Sequence, residues 1–247
     1  MLKPRQIARY SAVALFCLIF SLFGLGAAVF AQPYESEFEF RIAGIKAGEM
    51  RLVGMDNGDA YKAEAFGRSA GLVGVFAQFS FDGAAEGKIA ADGRVVPVVF
   101  EASSTSPRDD RETRIDWEAG TPVYVSVNPP RSSAPEPSAQ TGTVDPVTAS
   151  FVLLRDAPTD EICRKAVDIF DGSRRSRMIL GTPQEDAGRL ICNGSFERLE
   201  GEANSFSAEA SYGFRVVFLE DPQEEGMARL DRIEAPTDFG RAALVRK

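Results

Sequence analysis

YESEFEFRIAGIKAGEMRLVGMDNGDAYKAEAF, residues Tyr34 to Phe66, alternates apolar and polar positions between turn residues. Tyr34, Phe38, Phe40 and Ile42 interleave with Glu35, Glu37, Glu39 and Arg41. Side chains on a strand point to opposite faces with a period of two, so this pattern predicts a half-buried strand. Ala43-Gly44 turns the chain and Ala47 to Val53 reads as the returning strand. Asp56-Asn57-Gly58-Asp59 is a hairpin turn, because Asn-Gly supplies two residues that tolerate positive φ. Tyr61 to Phe66 then makes a third strand, and the opening of the chain is an antiparallel meander.

The same grammar continues downstream. Gln78 to Phe81, Ala84 to Ile89, Val95 to Ala102, Arg111 to Trp117 and Val123 to Val127 read as strands, with turns at Asp92-Gly93 and Ala119-Gly120. Pro97 cannot donate a ladder hydrogen bond, which places its strand at an edge or its position at a bulge. Lys165 to Phe170, Arg174 to Leu180, Leu190 to Arg198, Phe206 to Phe218 and Met227 to Ile233 complete the set. Two segments break the alternation. Ser69 to Phe76 is an apolar loop or short helix weakened by its glycines. Asp145 can cap a helix whose first residue is Pro146 and whose body runs from Thr148 to Leu154, with Val147, Phe151, Val152 and Leu154 facing a core. Residues 128–144, rich in proline and serine, read as a mobile loop. The fold class predicted is mainly β: a single strongly curved antiparallel sheet or barrel-like meander, with one or two short covering helices.

Upstream, Lys3, Arg5 and Arg9 head an apolar run from Ser11 to about Phe30, and Val29-Phe30-Ala31 precedes Gln32. A basic head, an apolar run and small residues at the exit make a secretory signal peptide. The expectation is cleavage near Ala31 and a periplasmic or otherwise exported chain, residues 32–247, folded as one β-rich domain. The alternative is an uncleaved inner-membrane anchor, since the run approaches the roughly 20 residues that span a bilayer. The chain holds 28 basic and 36 acidic residues, and losing Lys3, Arg5 and Arg9 moves its net charge from −8 to −11. Such a charge disfavours nucleic acid as a partner, and leaves membrane contact to the signal or anchor segment alone.

With Cys17 inside the signal, Cys163 and Cys192 remain as an even pair in an oxidising compartment, which predicts a disulfide. Closing that loop of about 29 residues is worth roughly 3.6 kcal/mol on the chain-entropy scale. The chain has no histidine. That removes the usual base near neutral pH and the usual activator of serine or cysteine, and it leaves the two cysteines without partners for a metal site. No catalytic residue, metal or cofactor is expected, and the chain does not read as an enzyme; carboxylate, lysine or tyrosine chemistry is the alternative left open.

Several motifs dissolve on inspection. Gly67-Arg68-Ser69-Ala70-Gly71 has the spacing of a nucleophile elbow but lacks the histidine and the parallel sheet. Gly83 to Ile89 is one residue short of a phosphate loop and lacks its Ser or Thr. Asp56, Asn57 and Asp59 are explained by a turn, and Asp109-Asp110 and Glu224-Glu225 by solvated loop charge. Asp171-Gly172-Ser173-Arg174-Arg175-Ser176-Arg177 is the one basic concentration in an acidic chain. If extended, Arg175 and Arg177 share a face and present two guanidinium groups to a phosphate or carboxylate.

Four blocks together resemble the exported bacterial family DUF3108. They are Tyr34 to Gly48 with its Ala43-Gly44 turn, Asp145-Pro146-Val147-Thr148-Ala149, Ile169 to Arg175 between the two cysteines, and Pro236-Thr237-Asp238-Phe239-Gly240. The resemblance implies a periplasmic β-rich protein with no established activity, and supplies no catalytic residues. The resemblance leaves the function open. A curved sheet with a covering helix can enclose a cavity, and the function expected is an envelope protein whose concave β surface holds a hydrophobic, lipid-like or amphipathic ligand. Leu72, Val73 and Phe76, with Phe151 and Leu154 of the helix, would line or gate that surface, and Arg175 and Arg177 would meet a head group. The alternative is an envelope assembly module acting through a protein partner.

Overall fold

A computed structural model describes residues 33–247 except 72–73, 75–77, 108, 203–209 and 239. Seven strands come first: β1 (Tyr34–Ile42), β2 (Ile45–Asp56), β3 (Ala60–Ser69), β4 (Ser80–Ile89), β5 (Val95–Ser106), β6 (Asp109–Glu118) and β7 (Thr121–Asn128). A 3-10 turn (Pro137–Ala139) and one α-helix, α1 (Pro146–Leu154), follow. The second series is β8 (Ala157–Pro158), β9 (Lys165–Phe170), β10 (Arg175–Asp186), β11 (Arg189–Glu200), β12 (Ser211–Glu220), β13 (Met227–Thr237) and β14 (Gly240–Arg246). All fourteen belong to one sheet in the order β7-β6-β5-β4-β3-β2-β1-β14-β13-β12-β11-β10-β9, with β8 added beside β13.

Local chemistry explains the hairpins. At the β2–β3 turn the Asn57 side-chain oxygen accepts from the amides of Asp59 and Ala60 at 3.1 and 2.9 Å. Gly58 there has a φ of 87°. Pro97 lies on a central strand, and the register slips beside it, so that Gly87 pairs with Pro97 after Glu86 pairs with Val99. The bulge accommodates the missing N–H.

The joint between the two series is β14. It pairs with β1 from Phe38↔Arg246 to Ile42↔Ala242, bringing the end of the chain against its first strand. Sequence reading stops at Ile233 and omits this strand, because Gly240 to Arg246 shows only weak alternation. Its place is set by the neighbours on both sides.

The two free edges, β7 and β9, are stitched by the residues just before α1. The Gly142 amide donates to the Gly120 carbonyl, the Val144 amide to Asp168 and the Phe170 amide to Val144, each at 2.8 Å. Gln140, Thr143, Val144 and Asp145 are buried. The segment expected to be a mobile loop is therefore packed along its second half, because the seam needs donors and acceptors that two non-adjacent strands cannot give each other.

Inside the curve lies α1. Its hydrophobic residues run all round, which suits only a buried helix, and Val147, Thr148, Ala149, Phe151, Leu153 and Leu154 are all buried. Leu153 takes the inward place expected for Val152, because neighbours surround the helix on several sides and no single stripe governs its burial. Nine residues are too few to hold a helix in water, so packing sustains it. The bed is made of small residues: a Cβ on Gly54 would come within 2.5 Å of the Phe151 ring, and one on Gly83 within 2.9 Å of Val147. The core comprises Phe38, Leu52, Tyr61, Phe100, Ile115, Trp117, Phe170, Leu180, Val216, Phe218 and Leu230 around Phe151. Cys163 and Cys192 form the expected disulfide within it.

Candidate functional site

The pairing registers define the two ends of the curved sheet. At the end carrying Tyr34 and Asp56, α1 fills the interior and is fastened at both termini. Asp145 caps it, one carboxylate oxygen accepting from the Thr148 amide at 2.8 Å and the other from the Thr148 hydroxyl at 2.5 Å. With that proton committed to Asp145, the Tyr61 hydroxyl, 2.7 Å from Thr148 Oγ1, donates to it. Burial raises the Asp145 carboxyl to about 6 and raises the Tyr61 hydroxyl as well. Beyond the other terminus, Tyr34 donates to the Leu154 carbonyl at 2.8 Å, Arg155 pairs with Asp56 at 3.2 Å and Arg246 with Asp156 at 2.7 Å.

The opposite end carries the Ala43-Gly44 turn; there the Ala70 amide donates to the Ala47 carbonyl at 2.9 Å, and Gly71 and Gly74 are helical. The inward positions there are Phe40, Met50, Phe81 and Ala102 on one arm, and Met178, Phe196, Tyr212 and Leu244 on the other. All are half-buried, whereas Leu52, Tyr61, Phe100, Leu180, Phe218 and Leu230 nearer α1 are buried. The Phe196 and Tyr212 rings stack with centroids 4.9 Å apart, and burial raises the Tyr212 hydroxyl. This half-covered apolar wall is the candidate site. An apolar wall with few polar groups can hold an apolar body.

The residues expected from sequence fall in three places. Leu72, Val73 and Phe76 lie outside the described residues. Phe151 and Leu154 are buried with α1, Phe151 stacked on Tyr61 at a centroid distance of 5.6 Å. Arg175 and Arg177 do converge, but on a carboxylate of the chain itself: Asp168 accepts from Arg175 at 2.8 Å and from Arg177 at 2.5 and 2.8 Å. The two arginines hold Asp168 below the usual carboxylate range. The structure brings these arginines together, and does not bring them to Phe151 and Leu154.

Sequence reasoning missed the Phe196–Tyr212 wall, though a signal for it exists. Cys192 must point inward to reach Cys163, so with a period of two Gly194, Phe196 and Arg198 share its face. The outer face carries two open depressions of about 650 and 550 Å³. The first surrounds Gly213 and Arg215; the second is lined by Glu64, Phe66, Asp82, Glu101, Glu112 and Arg114 among others. No group of three or more Cys, Asp or Glu among the described residues is placed to hold a metal ion.

The family model described as "Protein of unknown function (DUF3108)" matches residues 34–185. The chain belongs to the DUF3108 family. The match covers the first series of strands, the α1 segment and β8 to most of β10, so the Phe196–Tyr212 wall of this DUF3108 protein lies beyond it. No curated protein matches the chain. Among solved structures it is similar to the crystal structure of a beta-barrel-like protein of domain of unknown function DUF1849 from Brucella abortus. The two are 12% identical, over 89% of this chain and 97% of that one, with a TM-score of 0.45.

Proposed function

We propose that this DUF3108 protein is an exported, non-enzymatic envelope protein that holds a hydrophobic or amphipathic ligand at the Ala43 end of its curved sheet. The observation carrying this reading is the contrast between the two ends of one interior. Around α1, Leu52, Tyr61, Phe100, Phe218 and Leu230 are buried; Phe40, Met50, Phe81, Phe196 and Tyr212 are half-covered. Burying such surface is favourable by about 25 cal/mol per Å². The outer face, by contrast, is laced with ion pairs such as Arg51–Glu35 and Lys62–Glu86. Export rests on residues 1–31, and the non-enzymatic reading on the missing histidine.

Native mass spectrometry on protein taken from the periplasm without detergent tests the reading. The expected result is a mass beginning at Gln32 with an extractable apolar adduct, which Phe196→Arg removes while leaving the thermal midpoint near that of the wild type. A bare mass, with no saturable binding of an added fatty acid, overturns ligand carriage. A chain that begins at Met1 in the membrane fraction replaces export by anchoring.

A second reading, assembly through a protein partner, draws support from the exposed apolar side chains of β7, where Val123 and Tyr124 are 54% and 51% exposed. Val123→Lys would then disperse a complex seen by light scattering in the native extract, while adduct binding stays intact. An unchanged particle size removes this reading.

A further inference from the structure

Three arginines lie on the inward face of the sheet among the described residues, in phase with buried neighbours: Arg111, Arg198 and Arg246. Arg246 is paired with Asp156 at 2.7 Å and Arg111 with Asp109 at 2.7 Å. Arg198 has no carboxylate partner among the described residues. The residue opposite it on β10 is Ser176, and on the β12 side its amide donates to the Ala210 carbonyl. Two carboxylates at this end are engaged elsewhere, Asp109 with Arg111 and Arg131, and Glu200, opposite Arg175 across a bulge, with that arginine at 3.9 Å. Glu197 and Leu199, on either side of Arg198, are exposed, whereas Arg198 itself is half-buried.

A guanidinium drawn partly out of water without a counter-ion is unfavourable, and charges so placed are paired when they serve structure. Arg198 stands two residues beyond Phe196, whose ring stacks on Tyr212 in the apolar wall. An apolar wall ending in one unspent cation matches a molecule of the same polarity. We infer that Arg198 binds the anionic head, carboxylate or phosphate, of a single-chain amphiphile whose apolar tail lies along Phe196 and Tyr212. This rests on the carrier reading above and deepens it by naming the ligand class. Arg175 and Arg177, the pair singled out by sequence, are already spent on Asp168.

Delipidated mature protein is titrated by calorimetry with laurate, dodecyl phosphate, monolauroyl glycerol, acetate and inorganic phosphate, as wild type, Arg198→Met and Arg198→Lys. The wild type is expected to bind one or both anionic amphiphiles at least about tenfold more tightly than the neutral one, and the tailless anions far more weakly. Arg198→Met abolishes that preference and leaves the neutral affinity unchanged, whereas Arg198→Lys retains part of it. Raising salt weakens the anionic amphiphiles and spares the neutral one, a readout that holds even if Arg198→Met does not fold. Equal wild-type affinity for anionic and neutral amphiphiles, or a preference that survives Arg198→Met, overturns the role of Arg198 and leaves the carrier reading standing. Tight binding of phosphate or acetate alone overturns the amphiphile and makes this a free-anion site. No binding of any tailed probe overturns both.

Discussion

Along β2 to β4 the inward positions around the helix include Gly54, Ala63, Ala65, Gly83 and Ala85, with Leu52 and Tyr61 beside them; along β10 to β13 they include Leu180, Phe214, Val216, Phe218 and Leu230. Both arms alternate with the same period and bury an inner face, yet one is lined mostly with small residues and the other mostly with bulk. The small-residue arm is hollow so that α1 can lie in it, with Phe151 pressed against Gly54. The bulky arm fills its own share of the interior. Small residues at inward strand positions are therefore a negative image of a helix, and a close-packed interior demands that the two volumes sum correctly.

The comparison breaks most directly at the helix. Phe151→Ala empties the hollow of its plug, and the expected loss is about 3–5 kcal/mol in urea unfolding of the mature protein. A loss under about 1 kcal/mol would mean that α1 is not what fills the small-residue arm. Replacing Cys163 and Cys192 together by alanine unties the approach to β9 from the bulky arm, and about 2–5 kcal/mol should go. Wild type treated with reductant under unfolding conditions should fall to the same midpoint.

Asp145 sharpens the contrast, since the helix it caps enters the interior with a buried carboxylate. Its folded value of about 6 stands above the ordinary 3.8. Between those values the folded chain keeps a proton that the unfolded chain has released. The contribution of this group is thus most favourable below about pH 4 and is lost as pH rises through about 6, a change of roughly 2–3 kcal/mol. Asp145→Asn keeps an acceptor for the Thr148 amide and has no proton to lose. Its stability should match wild type near pH 4 and exceed it near pH 8, and parallel pH curves for the two proteins would remove Asp145 as the source. The smallest effects separate the faces. Gly54→Ala crowds Phe151 and should lose about 1–3 kcal/mol. Gly213→Ala, whose Cβ would meet only the Gly194 carbonyl at 3.8 Å, should change stability by no more than about 0.5 kcal/mol. Equal losses at both glycines would show that backbone freedom, not the helix, explains the small-residue arm.

Much of this fold is legible in the amino-acid order. Alternation locates most strands, Asn57-Gly58 and Ala119-Gly120 locate turns, and Asp145-Pro146 marks the start of the helix to the residue, because each depends on neighbours a few positions away. The disulfide follows from counting. The candidate site is not legible to the same degree. Phe151 stands out for its apolar surface, yet it completes the core. Arg175 and Arg177 stand out for their charge, which Asp168, seven residues before Arg175, accepts. Phe196 and Arg198 sit inconspicuously in a strand of ordinary alternation.

By itself the amino-acid order determined the β-rich class, the hairpins, the cap of α1 and the pairing of the two cysteines, since all of these follow from local stereochemistry or from elimination. Only the tertiary structure decided that β14 closes against β1, that the helix lies inside the curve, that residues 140–145 stitch the two edges, and which inward arginine is left without a carboxylate among the described residues. Alternation tells which side chains share a face; which partners stand across from that face depends on register between strands far apart in sequence, and on the volumes that must fit together between them.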